Sequence, residues 1–269
     1  MYTLVPMQKM LEVTHVVTAF AEVRPARYIF SGEMHDFWEM TYALEGSLVV
    51  TAEARVLMLS RGQLLFHRPM EFHSLRTAGD APARVLVVSF CAQGEVMHRF
   101  EGRELLLNIP EEEEYIRIVH TLQRFLQNKE AKDAALGRAA LESLLLRLAD
   151  KPAHPFQRSA GADDRLYEQA MRVLNEHCTE ALTLSDVARL CSTSESSLKK
   201  AFAACSRTGV MHCFTSIKIR RAAELLAAGE SIVQVSDALS FSSPSYFHTV
   251  FRREMHCTPG EYVHRTQRG

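Results

Sequence analysis

The chain has 269 residues, 47% hydrophobic and 23% charged, which suits about two globular domains and excludes disordered, collagen-like and low-complexity classes. Its net charge of −1 hides an asymmetry: residues 1–150 carry 16 Lys and Arg against 20 Asp and Glu, and residues 151–269 carry 15 against 12. A mildly basic second half fits a polyanion-binding domain, and equally an ordinary solvated face. No stretch approaches the roughly 18 apolar residues of a membrane helix. Met1–Phe20 has no signal-peptide pattern, so the expected compartment is the cytoplasm, with no membrane partner.

From residue 25 to 92 short apolar stretches recur, at Thr41–Leu44, Ser47–Thr51, Val56–Leu59, Gln63–Phe66 and Arg84–Phe90. Glu45-Gly46, Arg61-Gly62 and Ala78-Gly79-Asp80 supply turns. This spacing predicts a small barrel or sandwich. The period then lengthens. Tyr115, Ile118, Val119, Leu122, Phe125 and Leu126 predict a helix over 112–127, with Glu111–Glu114 at its dipole-favoured start. A second helix is predicted over 133–149, with Leu141, Leu144, Leu145 and Leu148 on one face. The pair could be a lid on the β domain or a dimer seam. Lys151-Pro152-Ala153-His154-Pro155 breaks the pattern. The predicted domains are therefore 1–150 and 165–269, joined by a linker over 151–164, and everything after Arg165 reads as helical. None of the six cysteines forms a C-x-x-C pair, so reduced thiols packing as small hydrophobes are expected, with Cys205 and Cys213 the alternative redox pair.

The helical half contains a degenerate repeat. Leu182–Phe202 reads LTLSDVARLCSTSESSLKKAF, and Glu230–Phe251 reads ESIVQVSDALSFSSPSYFHTVF. Thr183 and Ser231 stand as N-caps, with Asp186 and Gln234 three residues on. Ser194 and Ser243 cap a second helix in each copy, and Pro244 follows at a first helical position. Each copy is thus a short helix, a tight turn and a second helix, which is helix-turn-helix geometry. Leu198, Phe202 and Cys205 form one buried stripe, and Phe247, Val250, Phe251 and Met255 the other. Ser196, Ser197, Lys199 and Lys200 are left outside in the first copy, and Ser245, His248, Thr249, Arg252 and Arg253 in the second. Short polar groups suit base edges, and Lys and Arg suit phosphates. Either face alone could be plain solvated surface; two matching faces favour double-stranded DNA. A helix over 211–228, bearing Lys218, Arg220 and Arg221, would hold the two units apart.

These residues resemble the AraC/XylS transcriptional regulators, over about residues 165–265. The resemblance rests on Ala222-Ala223-Glu224-Leu225-Leu226, on Ser245-Tyr246-Phe247, and on Phe251-Arg252-Arg253-Glu254 followed by Thr258-Pro259-Gly260-Glu261-Tyr262. It departs at Ser192 and Ser240, where turn glycines are usual, at Arg207–Cys213, and at Lys218, where arginine is common. The resemblance implies a front domain of cupin-like β-barrel form that senses a small molecule, and a homodimer.

His35-Asp36-Phe37-Trp38-Glu39, Glu45-Gly46, Gly62, Pro69 and His73 look like the two cupin motifs. Phe37 replaces the second histidine of His-x-His, leaving His35, Glu39 and His73, with His67 nearby. Three such ligands could hold a divalent metal. The expectation is no metal and no cofactor, with His35 and His73 either satisfied barrel residues or effector contacts. Trp38 reads as a packed residue and is also an effector-contact candidate, alongside His35, Glu39 and His73.

The expected fold is thus α+β in two domains: a cupin-like β-barrel with two following helices, then an all-α domain with two helix-turn-helix units. The expected function is effector-controlled DNA binding without catalytic residues, with RNA polymerase a further partner. The competing reading is a metal-dependent cupin enzyme with an accessory helical domain, which stoichiometric iron, manganese or zinc would favour. It leaves the repeat unexplained.

Overall fold

The computed structural model describes residues 3–266. Eight strands form the front half: β1 (Glu12–Arg24), β2 (Trp38–Glu45), β3 (Ser47–Ala52), β4 (Arg55–Ser60), β5 (Gln63–His67), β6 (His73–Thr77), β7 (Ala83–Gln93) and β8 (Glu104–Leu106). They make a five-stranded sheet in the order β1-β7-β2-β5-β8 and a three-stranded sheet in the order β4-β3-β6. Every pairing is antiparallel. Among the described residues no strand ladder joins the two sheets, so they form a packed pair rather than a hydrogen-bonded barrel.

Period-two alternation sorts the five-stranded sheet. Met40, Tyr42, Phe66, Val88 and Phe90 point to one side. There α1 (Ile109–Asn128) and α2 (Ala131–Ala149) cover them with Tyr115, Ile118, Leu122, Leu141, Leu144 and Leu148. Leu65, Val85 and Val87 point the other way and meet Leu48, Val50 and Leu57 of the three-stranded sheet. Asn108 and Glu111 close a capping box on α1, adding the first turn that hydrophobic period alone misses.

Leu144 and Leu148 are fully buried in this intramolecular core, which corrects their reading as dimer-seam residues. The helices lie on their own sheet because its Trp38–Phe90 face is apolar and must be covered. β1 was not legible because register shifts between Val13 and His15, and between Val16 and Thr18, break its alternation.

The predicted linker is docked rather than free. Met58 N–H donates to Gln157 O at 2.8 Å, Ser159 N–H donates to Val56 O at 2.9 Å, and Phe156 is buried between the sheets. The first helix of the second domain, α3 (Ala162–Glu176), begins three residues before the predicted start.

The helical half continues through α4 (Leu184–Leu190), α5 (Glu195–Cys205), α6 (Val210–Ala227), α7 (Ile232–Ala238), α8 (Pro244–Met255) and α9 (Pro259–Thr266). Thr183 with Asp186, and Ser231 with Gln234, form full capping boxes, while Ser194 and Ser243 cap α5 and α8. Ser192 and Ser240, in the two turns, adopt φ of +52° and +51°. That left-handed backbone costs a non-glycine residue about 1 kcal/mol. Ser240 recovers part of it through its hydroxyl, which donates to Thr179 O at 2.6 Å.

Candidate functional site

Two places carry polar side chains in arrangements that packing alone does not explain. The first is a cavity of about 260 Å3 between the sheets. Glu39 and Thr41, on the inward face of β2, share it with Ser89 of β7 and His73 of β6. Phe20, Phe30, Leu75 and Val87 supply the apolar part of its wall. Residues 28–33 run antiparallel to β6. Phe30 N–H donates to Leu75 O at 2.8 Å, Glu33 N–H donates to His73 O at 2.9 Å, and His73 N–H donates back to Glu33 O at 3.0 Å. This pairing sets Glu33 opposite His73, and His35 stands beside Glu39.

The carboxylate of Glu39 is oriented from both sides. It accepts from the Thr41 hydroxyl at 3.3 Å and the Ser89 hydroxyl at 2.8 Å. Ser89 is in turn 2.8 Å from Thr18 Oγ1. His73 Nδ1 lies 2.9 Å from Glu71 O, and His35 Nδ1 lies 3.0 Å from Phe37 O. A carbonyl can only accept, so each Nδ1 carries a proton; burial would lower His73, but the Glu39 carboxylate and the Glu71 carbonyl outweigh it and raise that ring to about 9. Both Nε2 atoms are buried without a hydrogen-bond partner. His73 Nε2 stands 3.6 Å from Glu39 Oε1, and His35 Nε2 stands 3.8 Å from Glu39 Oε2; both exceed hydrogen-bond length. Each ring is thus hydrogen-bonded at Nδ1 and without a hydrogen-bond partner at Nε2; His73 lines the cavity, and His35 stands beside Glu39.

Burial, reinforced by the neighbouring His73, lowers His35 to about 4. Burial would raise Glu39, but the surrounding imidazoles outweigh it and hold the carboxyl at about 2. His67 is fully enclosed, 2.8 Å from Glu71 Oε1, with its ring stacked 4.2 Å from that of His73.

Of the sequence-predicted effector contacts, His35, Glu39 and His73 converge. Trp38 does not. It lies in the core beneath α1 and α2, because adjacent residues of one strand face opposite sides of its sheet. Glu33, missed in the sequence, joins the cluster through its pairing with His73. The Glu-x-His spacing of Glu33 and His35 was the one available signal. Arg24 also borders the cavity, with its Nε buried and unpartnered.

The second place is the outer surface of α5 and α8. Ser196, Lys199, Lys200, Ser245, His248, Thr249, Arg252 and Arg253 are exposed. Ser197 is half-buried, with its N–H donated to the capping Ser194 hydroxyl at 3.1 Å. Lys199 pairs with Glu195 at 3.6 Å and Lys200 with Asp163 at 3.4 Å. Such exposed pairs are worth little and release easily to a phosphate or base. The basic residues of α6 behave otherwise. Lys218 is buried and donates to Glu180 O and Leu239 O, both at 2.7 Å. It thereby ties the segment before α4 to the end of α7. Arg220 reaches across to Glu53 of the β3–β4 turn and to Asn175. Of the three α6 cations, Lys218 and Arg220 are thus committed to internal contacts.

The two halves meet at the end of α5. Gly32 N–H donates to Ser206 O at 2.8 Å, and Ser74 Oγ donates to Cys205 O at 2.9 Å. A Cβ on Gly32 would stand 2.2 Å from the buried Phe72 ring, so a larger residue would displace that ring or the Gly32 backbone. Arg76 pairs with Asp164 at 2.8 Å, and Val49, Val56 and Phe72 pack against the α3–α5 core.

A model of the AraC-like ligand binding domain matches residues 15–149, and a helix-turn-helix domain model matches residues 187–265. The chain belongs to the AraC/XylS family of transcriptional regulators. Within that family it is 30% identical over 88 residues to the RCS-specific HTH-type transcriptional activator RclR of Escherichia coli, covering 32% of this chain and 31% of that protein. It is 26% identical over 110 residues to the HTH-type transcriptional activator RhaR of Mannheimia succiniciproducens, covering 40% of each. These matches span less than half the length of either AraC-type relative. ToxT of Vibrio cholerae matches 96% of this chain and 98% of its own at 16% identity, with a TM-score of 0.40.

Proposed function

We propose that the protein is a DNA-binding transcription regulator, not an enzyme, whose front domain binds a small-molecule effector in the cavity between the sheets. The carrying observation is the pair of capped helix-turn-helix units, with exposed polar and basic faces on α5 and α8, locked to each other through buried Lys218. Ser196, Ser197, Lys199 and Lys200 would meet one groove segment. Ser245, His248, Thr249, Arg252 and Arg253 would meet the next, about one helical turn away.

The effector route is short. Ser74 lines the cavity and touches Cys205 O, and cavity-lining Glu33 follows Gly32, which touches Ser206 O. An occupant that repositions either element acts directly on the end of α5. It regulates only insofar as it binds one arrangement better than the other.

A homodimer working in the cytoplasm, with RNA polymerase as a further contact, completes the reading. Family membership supports it. The test is selection of duplexes from a random pool, followed by titration of the full chain on the selected and scrambled sequences at two salt concentrations. Sequence preference with a strong salt dependence is expected. Equal affinity for both duplexes would refute sequence-specific regulation.

A further inference from the structure

The cavity cluster has a feature that an organic effector alone does not require. One donor atom from each of Glu33, His35, Glu39 and His73 lies within 4.8 Å of all the others. Four donors set tetrahedrally about 2.1 Å from one ion stand ~3.4 Å apart, so the pairs at 3.6 to 3.8 Å need to close by a few tenths of an ångström and the widest, up to 4.8 Å, by up to ~1.4 Å. Both imidazoles are oriented as ligands need, with Nδ1–H donated to a backbone carbonyl and Nε2 buried without a hydrogen-bond partner; an entering cation displaces the proton from His73 Nε2. The Glu39 carboxylate is oriented by two hydroxyls. Glu33 reaches in from the open edge, its carboxylate 3.8 Å from His73 Nε2. Two carboxylates balance the charge of one divalent cation, and two imidazoles disfavour calcium and magnesium.

We propose that Glu33, His35, Glu39 and His73 together bind one divalent first-row transition-metal ion, with zinc the best match to two nitrogen and two oxygen donors. This set differs from the His-x-His cupin pattern, since Phe37 cannot ligate and Glu33 supplies the fourth donor. The site also differs from a thiolate zinc centre, because no cysteine belongs to the cluster. It is independent of the DNA-binding reading, and its test uses no DNA.

The experiment takes untagged, full-length protein stripped with a chelator and dialysed, and titrates it with Zn2+ by calorimetry and with Co2+ by visible absorption. One equivalent per chain is expected, with cobalt d–d bands and without the ultraviolet charge-transfer bands of thiolate ligation. Glu33→Gln sits at the cavity edge and leaves the core intact; it should weaken binding about tenfold or more. His73→Ala should weaken it about 100-fold or more, twice the logarithmic loss of the edge ligand. His98→Ala and His177→Ala, at surface ion pairs with Glu101 and Glu180, should leave it unchanged. Three results would each overturn the proposal: no stoichiometric uptake, thiolate bands, or wild-type affinity in folded Glu33→Gln protein.

Discussion

Replacing Lys218 with methionine keeps the length of the side chain and removes its three donors. The ammonium joins Glu180 O to Leu239 O and lies 4.7 Å from the Phe214 ring centroid and 5.7 Å from that of Phe241. Losing the partner of the buried Leu239 carbonyl costs about 1–3 kcal/mol. The Glu180 carbonyl lies nearer solvent and is rehydrated more cheaply. The cation–π contacts contribute about 1 kcal/mol more. Against this, methionine escapes the burial that lowers the lysine's pKa. The net expectation is a loss of about 2 kcal/mol, which moves a urea midpoint down by roughly 1 M at a typical slope. Because Lys218 links the two helix-turn-helix units, affinity for the selected duplex should also fall about tenfold, while random DNA is nearly unaffected. Lys218→Arg keeps two donors within reach and should restore most of both. Circular dichroism in urea and fluorescence anisotropy on the two duplexes read the outcome. An unchanged midpoint together with unchanged specific affinity in Lys218→Met would refute the bridging role.

Lys200→Ala and His248→Ala should each cost about 1–3 kcal/mol on the selected duplex and little on scrambled DNA, whereas Arg252→Ala should weaken both and lower the salt slope by about one phosphate contact; equal losses on both duplexes for the first two would withdraw their base-reading role. Leu144→Glu should destabilise the front domain by several kcal/mol, because it buries a charge under the sheet. The exposed Leu136 and Leu146 are the better probes of self-association: Leu136→Glu with Leu146→Glu should shift light scattering toward monomer without loss of thermal stability, and an unchanged mass would place the seam elsewhere. At the domain junction, burial raises the Asp164 pKa, but the Ser159 hydroxyl, Arg76 and the Cys205 thiol outweigh it and hold the carboxyl low. Its stabilisation is complete above the unfolded carboxyl range and is lost as pH falls through the folded value. Between about pH 6 and pH 3 the wild type should therefore lose more thermal stability than Asp164→Asn, even with Asp163 close by; parallel melting curves would show that the carboxylate contributes nothing at the junction.

Local signals made the helical half legible from sequence. A cap is a contact between residues three apart, so Thr183 with Asp186 and Ser231 with Gln234 announce their own helices, and the buried stripes of α5 and α8 follow from a fixed period. The strands β2, β3, β4, β5 and β7 were legible for the same reason, whereas β6, which carries His73, lay outside the apolar stretches. Three other features depended on residues far apart in the chain. Leu144 and Leu148 show a hydrophobic face but not whether it meets the chain's own sheet or a second copy. Lys218 and Arg220 look like any basic pair on a helix, yet one fastens the two helix-turn-helix units and the other reaches Glu53, 167 positions away. Trp38 and Glu39 sit side by side in sequence and on opposite faces of the sheet, while Glu33 meets His73 across a pairing that spans 40 positions. Periodicity specifies that a side chain must be buried or exposed, but a carboxylate and an imidazole become one site only when strand register brings them face to face.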